Sequence, residues 1–219
     1  MREVSRRGIA LSLALSAVAG YVDAVGFIET GGFFVSFMSG NSTQAGVEVW
    51  TDGPGRALLP LALVGAFVIG VAAGGVVVGA HARRRSAVVA GTAVAVAASA
   101  LIGFALPHAE WRFALLACAM GALNTLYLAD GRARIAITYA TGTLVSLGLA
   151  LADLVTGRSS TAWRRPLLLW AALAAGAVAG AATHRWLGGG ALLAAGVILA
   201  ALAVAIGAGT RRGVGAEPS

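Results

Sequence analysis

In a chain built almost wholly from aliphatic side chains, the groups able to do chemistry fall into two short clusters. The first is Asp23 with the run Ser39-Gly40-Asn41-Ser42-Thr43, and the second is Asn124 with Thr141-Gly142-Thr143. Together they offer a carboxylate, carboxamides and hydroxyls, a set suited to coordinating an ion or hydrogen-bonding a small polar solute. The surroundings make them conspicuous. In hydrocarbon every freed backbone group must find a partner, so a Gly-broken polar patch is tolerated only inside protein or beside a water-filled cavity. Phe33 to Gly46, FFVSFMSGNSTQAG, is such a patch. Asp23 lies inside an apolar block, where a carboxylate costs roughly 2.5–3.5 kcal/mol on insertion scales.

Two readings of these residues stand side by side. Asp23, whose counterpart Asn124 is neutral, supplies the single titratable group that a proton- or cation-coupled carrier needs; equally, it is hydrated near an interface or held by Tyr21 or Asn41. The hydroxyls and amides either contact a solute or stabilise a break in a helix. Catalytic chemistry has no support: there is no phosphate loop, nucleophile elbow or HExxH motif. His81, His108 and His184 are scattered without metal-ligand spacing, and Cys118, alone in an apolar run, reads as core packing. The expectation is therefore no enzyme, no metal and no cofactor.

The elements that must position these groups are membrane helices. Of 219 residues, 58% are hydrophobic and 11% charged, with a mean hydropathy of +0.85, far from the roughly 25% charge of a soluble domain. All 16 basic residues are Arg, most in short loops where positive charge sets topology, so the basic balance implies a lipid bilayer and no nucleic acid partner. Six apolar blocks have the length of a spanning helix: Gly8 to Ile28, Leu58 to Ala80, Ser86 to Leu106, Arg112 to Leu128, Leu167 to Leu187 and Gly190 to Gly209. Arg2, Arg6 and Arg7 before Ile9 imitate a signal peptide, but the apolar run continues past Ala19 to Ile28, so it is read as an uncleaved first span. Phe33 to Trp50 and Ile135 to Val155 are apolar but interrupted.

The chain also repeats itself within one membrane domain, residues 1–219. Pro60 to Gly74, PLALVGAFVIGVAAG, keeps seven of fifteen residues of Pro166 to Gly180, PLLLWAALAAGAVAG, including both glycines of a GxxxG pair. The halves are about 1–110 and about 111–219. If both interrupted stretches re-enter on the side they left, thirteen Arg lie with the N-terminus and only Arg56, Arg112 and Arg185 lie opposite. The positive-inside bias then favours an all-α fold of six full spans plus two re-entrant segments, a three-plus-three inverted repeat with both termini cytoplasmic; eight full spans is the alternative. Gly70/Gly74 and Gly176/Gly180 allow close helix approach, between the halves or in a homodimer. Trp50, Trp111, Trp163 and Trp186 read as interfacial anchors, and Glu29, Glu48 and Asp153 as solvated span ends.

On this plan Gly40 and Gly142 serve as the tips of two hairpins, reversing the chain through positive φ, with half-helices beginning after each. The tips meet near the midplane, their helix N-termini favouring an anionic or dipolar solute. The stretch Gly20 to Gly46, GYVDAVGFIETGGFFVSFMSGNSTQAG, resembles the YoaK-like family of small bacterial inner-membrane proteins, as does TYATGTL at Thr138 to Leu144. The matching residues are Asp23, Phe37, Gly40 and Asn41, with Ser39 where that family more often has Thr. The resemblance implies a multi-pass protein of the bacterial cytoplasmic membrane and carries no substrate. The sequence thus leads to a carrier or channel for a small polar or charged solute, against a non-transporting assembly or sensory protein whose polar motifs serve packing.

Overall fold

The computed structural model describes residues 6–80, 84–129, 132–133, 140–158 and 161–214. Among the described residues the α-helices are α1 (Arg6–Thr30), α2 (Met38–Thr51), α3 (Leu58–Ala80), α4 (Arg85–Ala105), α5 (Trp111–Leu123), α6 (Ala140–Val155), α7 (Arg164–Leu187) and α8 (Ala191–Val214). A short 3₁₀ turn, Asn124–Tyr127, prolongs α5, and a two-residue antiparallel ladder joins Leu128–Ala129 to Arg132–Ala133. The six long apolar blocks thus form α1, α3, α4, α5, α7 and α8. Four helical stretches are long and apolar enough to cross a bilayer, the last of 46 residues running through α7 and α8, whose direction reverses at Gly188 (φ 54°). The helix α5, at 13 residues, is shorter. This is an integral membrane protein.

Small residues decide which helices touch. Lipid tails are as apolar as leucine, so no hydrophobic force draws helices together in a membrane and close backbone packing must do so. A methyl group built on Gly176 would overlap the Ala17 carbonyl, on Gly180 that of Tyr21, and on Gly20 that of Leu173. These three seats clamp α1 to α7. A second set clamps α3 to α5: Gly70 lies on the Cys118 carbonyl, Gly74 on Ala122, and Gly121 on the Phe67 carbonyl. Of the two uses read for the GxxxG glycines, packing between the halves or a homodimer through Gly70/Gly74 or Gly176/Gly180, the structure shows the first: all four are covered within the chain.

The same contacts fix direction. Residue numbers rise together across α1/α7 and across α3/α5, so each pair is parallel. In contrast α4 runs against α5, with the Ser99 and Thr92 hydroxyls donating to the carbonyls of Arg112 (3.2 Å) and Ala119 (3.3 Å). It also runs against α8, where Gly196 faces Ala93 and Gly207 faces Ser86. With α1 taken as rising, α4 and α7 rise and α3, α5 and α8 descend. Between the pairs lies the core, in which Leu15, Val22, Val96, Met120, Leu192 and Leu199 are inaccessible. Interior packing is dense enough that added volume forces backbone shifts.

Gly20→Ala and Gly121→Ala should each destabilise by about 1–3 kcal/mol, the usual cost of overpacking. Gly75→Ala, where nothing lies within 4 Å, should leave the thermal midpoint in detergent unchanged; equal effects at all three positions would refute the clamp.

Candidate functional site

Between α1 and α2 the chain leaves helical geometry for seven residues, Gly31 to Phe37. Gly31 (φ 71°) and Gly32 (φ 129°) make the reversal, conformations open to glycine and strained for other residues. This corrects the expectation that Gly40 turns the chain. Gly40 is helical within α2, and its missing side chain leaves room for the rings of Phe37 and Phe34, at 2.6 and 2.9 Å from where a Cβ would stand. Those rings continue a stack with Phe27, with centroids 4.7 Å apart for Phe27–Phe34 and 5.2 Å for Phe34–Phe37. Gly142 is likewise helical, within α6.

An extended segment frees its amide groups, and here three side chains take them up in sequence. The Thr30 hydroxyl accepts from the Phe33 amide (2.9 Å) and donates to the Phe33 carbonyl (2.7 Å). The Asn41 carboxamide accepts from the Phe34 amide (2.8 Å) and donates to the Phe34 carbonyl (2.6 Å), pairing as a strand would. One oxygen of Asp23 accepts from both Val35 and Ser36, each at 2.8 Å. Four consecutive amides are satisfied. Tyr21, an alternative partner for Asp23, instead donates to the Ala191 carbonyl at 3.0 Å. Asp23 precedes Thr30 by seven residues, so at 1.5 Å per residue the segment reaches roughly 10 Å below the end of α1.

The remaining residues of the first cluster face outward. Ser39, Ser42 and Thr43 are exposed, with the Ser42 and Thr43 hydroxyls donating back to the carbonyls of Met38 (2.9 Å) and Ser39 (3.1 Å). In the second cluster Asn124 is buried at the end of α5, donating to the Met120 carbonyl (2.9 Å), and Thr141, Gly142 and Thr143 occupy the first turn of α6. Gly142, the expected second tip, is thus within a helix rather than at a reversal; residues 134–139, of the interrupted stretch Ile135 to Val155 and its approach, lie outside the described residues. The helices that follow the two breaks do not pack together: α2 packs on α3, and α6 on α7.

A third group escaped the sequence reading. Glu29 was expected to be solvated, yet one of its oxygens accepts from Arg112 Nη2 (2.7 Å) and the other meets His184 Nε2. Arg112 is 5% exposed, with its guanidinium 4.2 Å from the Phe113 ring centroid. Elsewhere Glu48–Arg56 (3.4 Å) and Asp153–Arg158 (2.9 Å) pair at the ends of α2 and α6; the second is exposed at both partners, where ion pairs contribute about 0–1 kcal/mol.

The sequence as a whole agrees with this membrane architecture. Residues 11–205 match the family described as "Protein of unknown function (DUF1275)". The chain belongs to that family. A UPF0700 transmembrane protein from Rhizobium meliloti (strain 1021) is 35% identical over 184 residues, covering 84% of this chain and 79% of the relative. No solved structure matches. The resemblance read at Gly20 to Gly46 and Thr138 to Leu144 is consistent with this membership, and the DUF1275 chain is a membrane protein like its relative.

Asp23→Ala would strand two buried amides, each worth about 1–3 kcal/mol, whereas Asp23→Asn keeps an acceptor oxygen. Thermal unfolding should therefore rank wild type above Asp23→Asn above Asp23→Ala. Asn41→Ala should fall with Asp23→Ala, and a wild-type midpoint for either alanine variant would contradict the bonding described.

Proposed function

We propose that this protein is a carrier or channel for a small polar or charged solute. The observation that carries the reading is α2. At 14 residues it is about 21 Å long, short of a hydrocarbon core of about 30 Å; α5 is as short but is prolonged by the 3₁₀ turn to Tyr127, whereas α2 is preceded by the seven-residue break. It begins below the end of α1 and presents the hydroxyls of Ser39, Ser42 and Thr43 outward. Broken helices of this kind line transport sites because their N-termini carry partial positive charge at membrane depth. On this reading Ser39, Ser42 and Thr43 contact the solute, while Gly40, Asp23 and Asn41 position them. Asn124, Thr141, Gly142 and Thr143 do the corresponding work from the other half.

The proposal includes the topology: halves of about 1–110 and 111–219, six full spans, an inverted repeat and cytoplasmic termini. Helix directions support it. Because α1 rises and α3 descends, the segment between them enters and leaves at one end; α5 descends and α7 rises, so the second interrupted segment does so at the other. Clamp contacts also correspond, since Gly20, Ala17 and Tyr21 become Gly121, Cys118 and Ala122 after a shift of 101, and Gly70 and Gly74 become Gly176 and Gly180 after 106. The Arg distribution then orients the bundle.

A second reading has its own support. Asp23 and Asn41 are engaged with the backbone, which is what a packing or assembly role requires of them. Uptake separates the two. In proteoliposomes loaded with small ions, metabolites or weak acids, Ser42→Ala with Thr43→Val should cut flux at least tenfold without moving the thermal midpoint; absence of flux for the wild type across the panel would favour assembly. For topology, single cysteines at Asp52 and Arg158, in a Cys118→Ala background, should react with an impermeant maleimide from opposite sides of the membrane, Asp52 from outside. Labelling from the same side would remove the inverted plan.

A further inference from the structure

The helix pairs α1/α7 and α3/α5 are each clamped along their length by glycine seats, but α1 and α5 meet only over a short stretch. At the Thr30 end of that meeting stands the Glu29, Arg112 and His184 group. Its members come from α1, α5 and α7, so the Glu29–Arg112 pair ties one clamped pair to the other. We infer that this group is a latch that keeps the two helix pairs closed at the Thr30 end, and that a solute entering from that end passes only when it parts. The inference rests on the carrier reading for its role in transport, but the closure itself does not.

Three features make the group a latch rather than a surface pair. Arg112 is almost wholly buried, so separating it from Glu29 leaves a charge without compensation inside the bundle. Glycines admit the pair closely: a Cβ on Gly103 would lie 2.7 Å from Arg112 Nη1, and one on Gly189 3.2 Å from a Glu29 oxygen. The pair thus also locks α4 and the α7–α8 turn in place. Two of the three positions differ at the opposite end of the bundle, the third, residue 130, lying outside the described residues. Under the shifts of 101 and 106, Arg112 corresponds to Leu11 and His184 to Val78, both packed in the apolar core. Apolar surfaces slide and repack in small steps. A bidentate carboxylate between a guanidinium and an imidazole is either made or broken, which gives this end two states.

The test uses the full chain in detergent, with Cys118→Ala and a reporter Val25→Cys. Val25 is inaccessible and lies one helical turn below Glu29, so a hydrophilic maleimide reaches it only when the end opens. Glu29→Gln should raise the labelling rate at least tenfold, well below the unfolding temperature, and Arg112→Lys, which keeps the charge, should stay within threefold of the parent. If Glu29→Gln does not fold, His184→Ala removes one leg of the latch and should give a smaller rise. Labelling unchanged within twofold in the folded variants would overturn the latch and assign the group to static stability. Raised labelling without solute flux in proteoliposomes would keep the latch and reject the carrier; flux with unchanged labelling would do the reverse.

Discussion

The constraint on which the site depends is that an amide group inside a bilayer has no water to turn to. Leaving α-helical geometry for the stretch before α2 exposes four amides in succession, and in hydrocarbon each would cost several kcal/mol unless bonded. Thr30, Asn41 and Asp23 take all four. This accounts for an aspartate in an apolar helix: one of its oxygens closes two bonds at once. The aromatic stack of Phe27, Phe34 and Phe37 then covers the bonded segment, and Gly40 is small because those rings need its space. What is gained is a helix that starts roughly 10 Å below the end of α1, with Ser39, Ser42 and Thr43 exposed.

Around this site the bundle is held by close backbone approach rather than by bulky side chains. The GxxxG pair of α3 sits on α5 and that of α7 on α1, so helices distant in sequence are interleaved. Beside the parallel clamped pairs run α4 and α8, antiparallel to each other, and the break before α2 lies at the Thr30 end. The electrostatics are uneven, since the described ion pair between buried helices lies at the Thr30 end.

Much of this was legible in the residues. Long apolar blocks announce helices because length and hydropathy are nearly sufficient evidence in a membrane protein, and the Pro and Gly landmarks of Pro60 to Gly74 and Pro166 to Gly180 marked the clamping surfaces. The turn was misplaced because Ser39-Gly40-Asn41 carries the obvious polarity, while Gly31-Gly32 sits beside an aromatic run that reads as continuing helix. Asp23 could be singled out by its cost, but its partners are backbone amides of Val35 and Ser36, which have no side-chain signature. Glu29, Arg112 and His184 are separated by 83 and 155 positions along the chain, and each alone looks like a solvated helix end. One trace was available: in the six-span plan only Arg56, Arg112 and Arg185 fall against the positive-inside bias. An arginine that defies that bias is held by something, and Arg56 and Arg112 both have carboxylate partners.

The interleaving bears on how the chain is made. The seat that Gly20 offers is filled by Leu173, which is synthesised more than 150 residues later; at about 5–20 residues per second, the first helix waits on the order of ten seconds for its mate. During that interval its small-residue groove lies in the bilayer without the neighbour that will cover it, so early segments must be sheltered by lipid, by the insertion machinery or by the nascent hairpin. Completion is a late, concerted event, and a chain interrupted after its fourth helix would leave every glycine groove of the first half without an occupant.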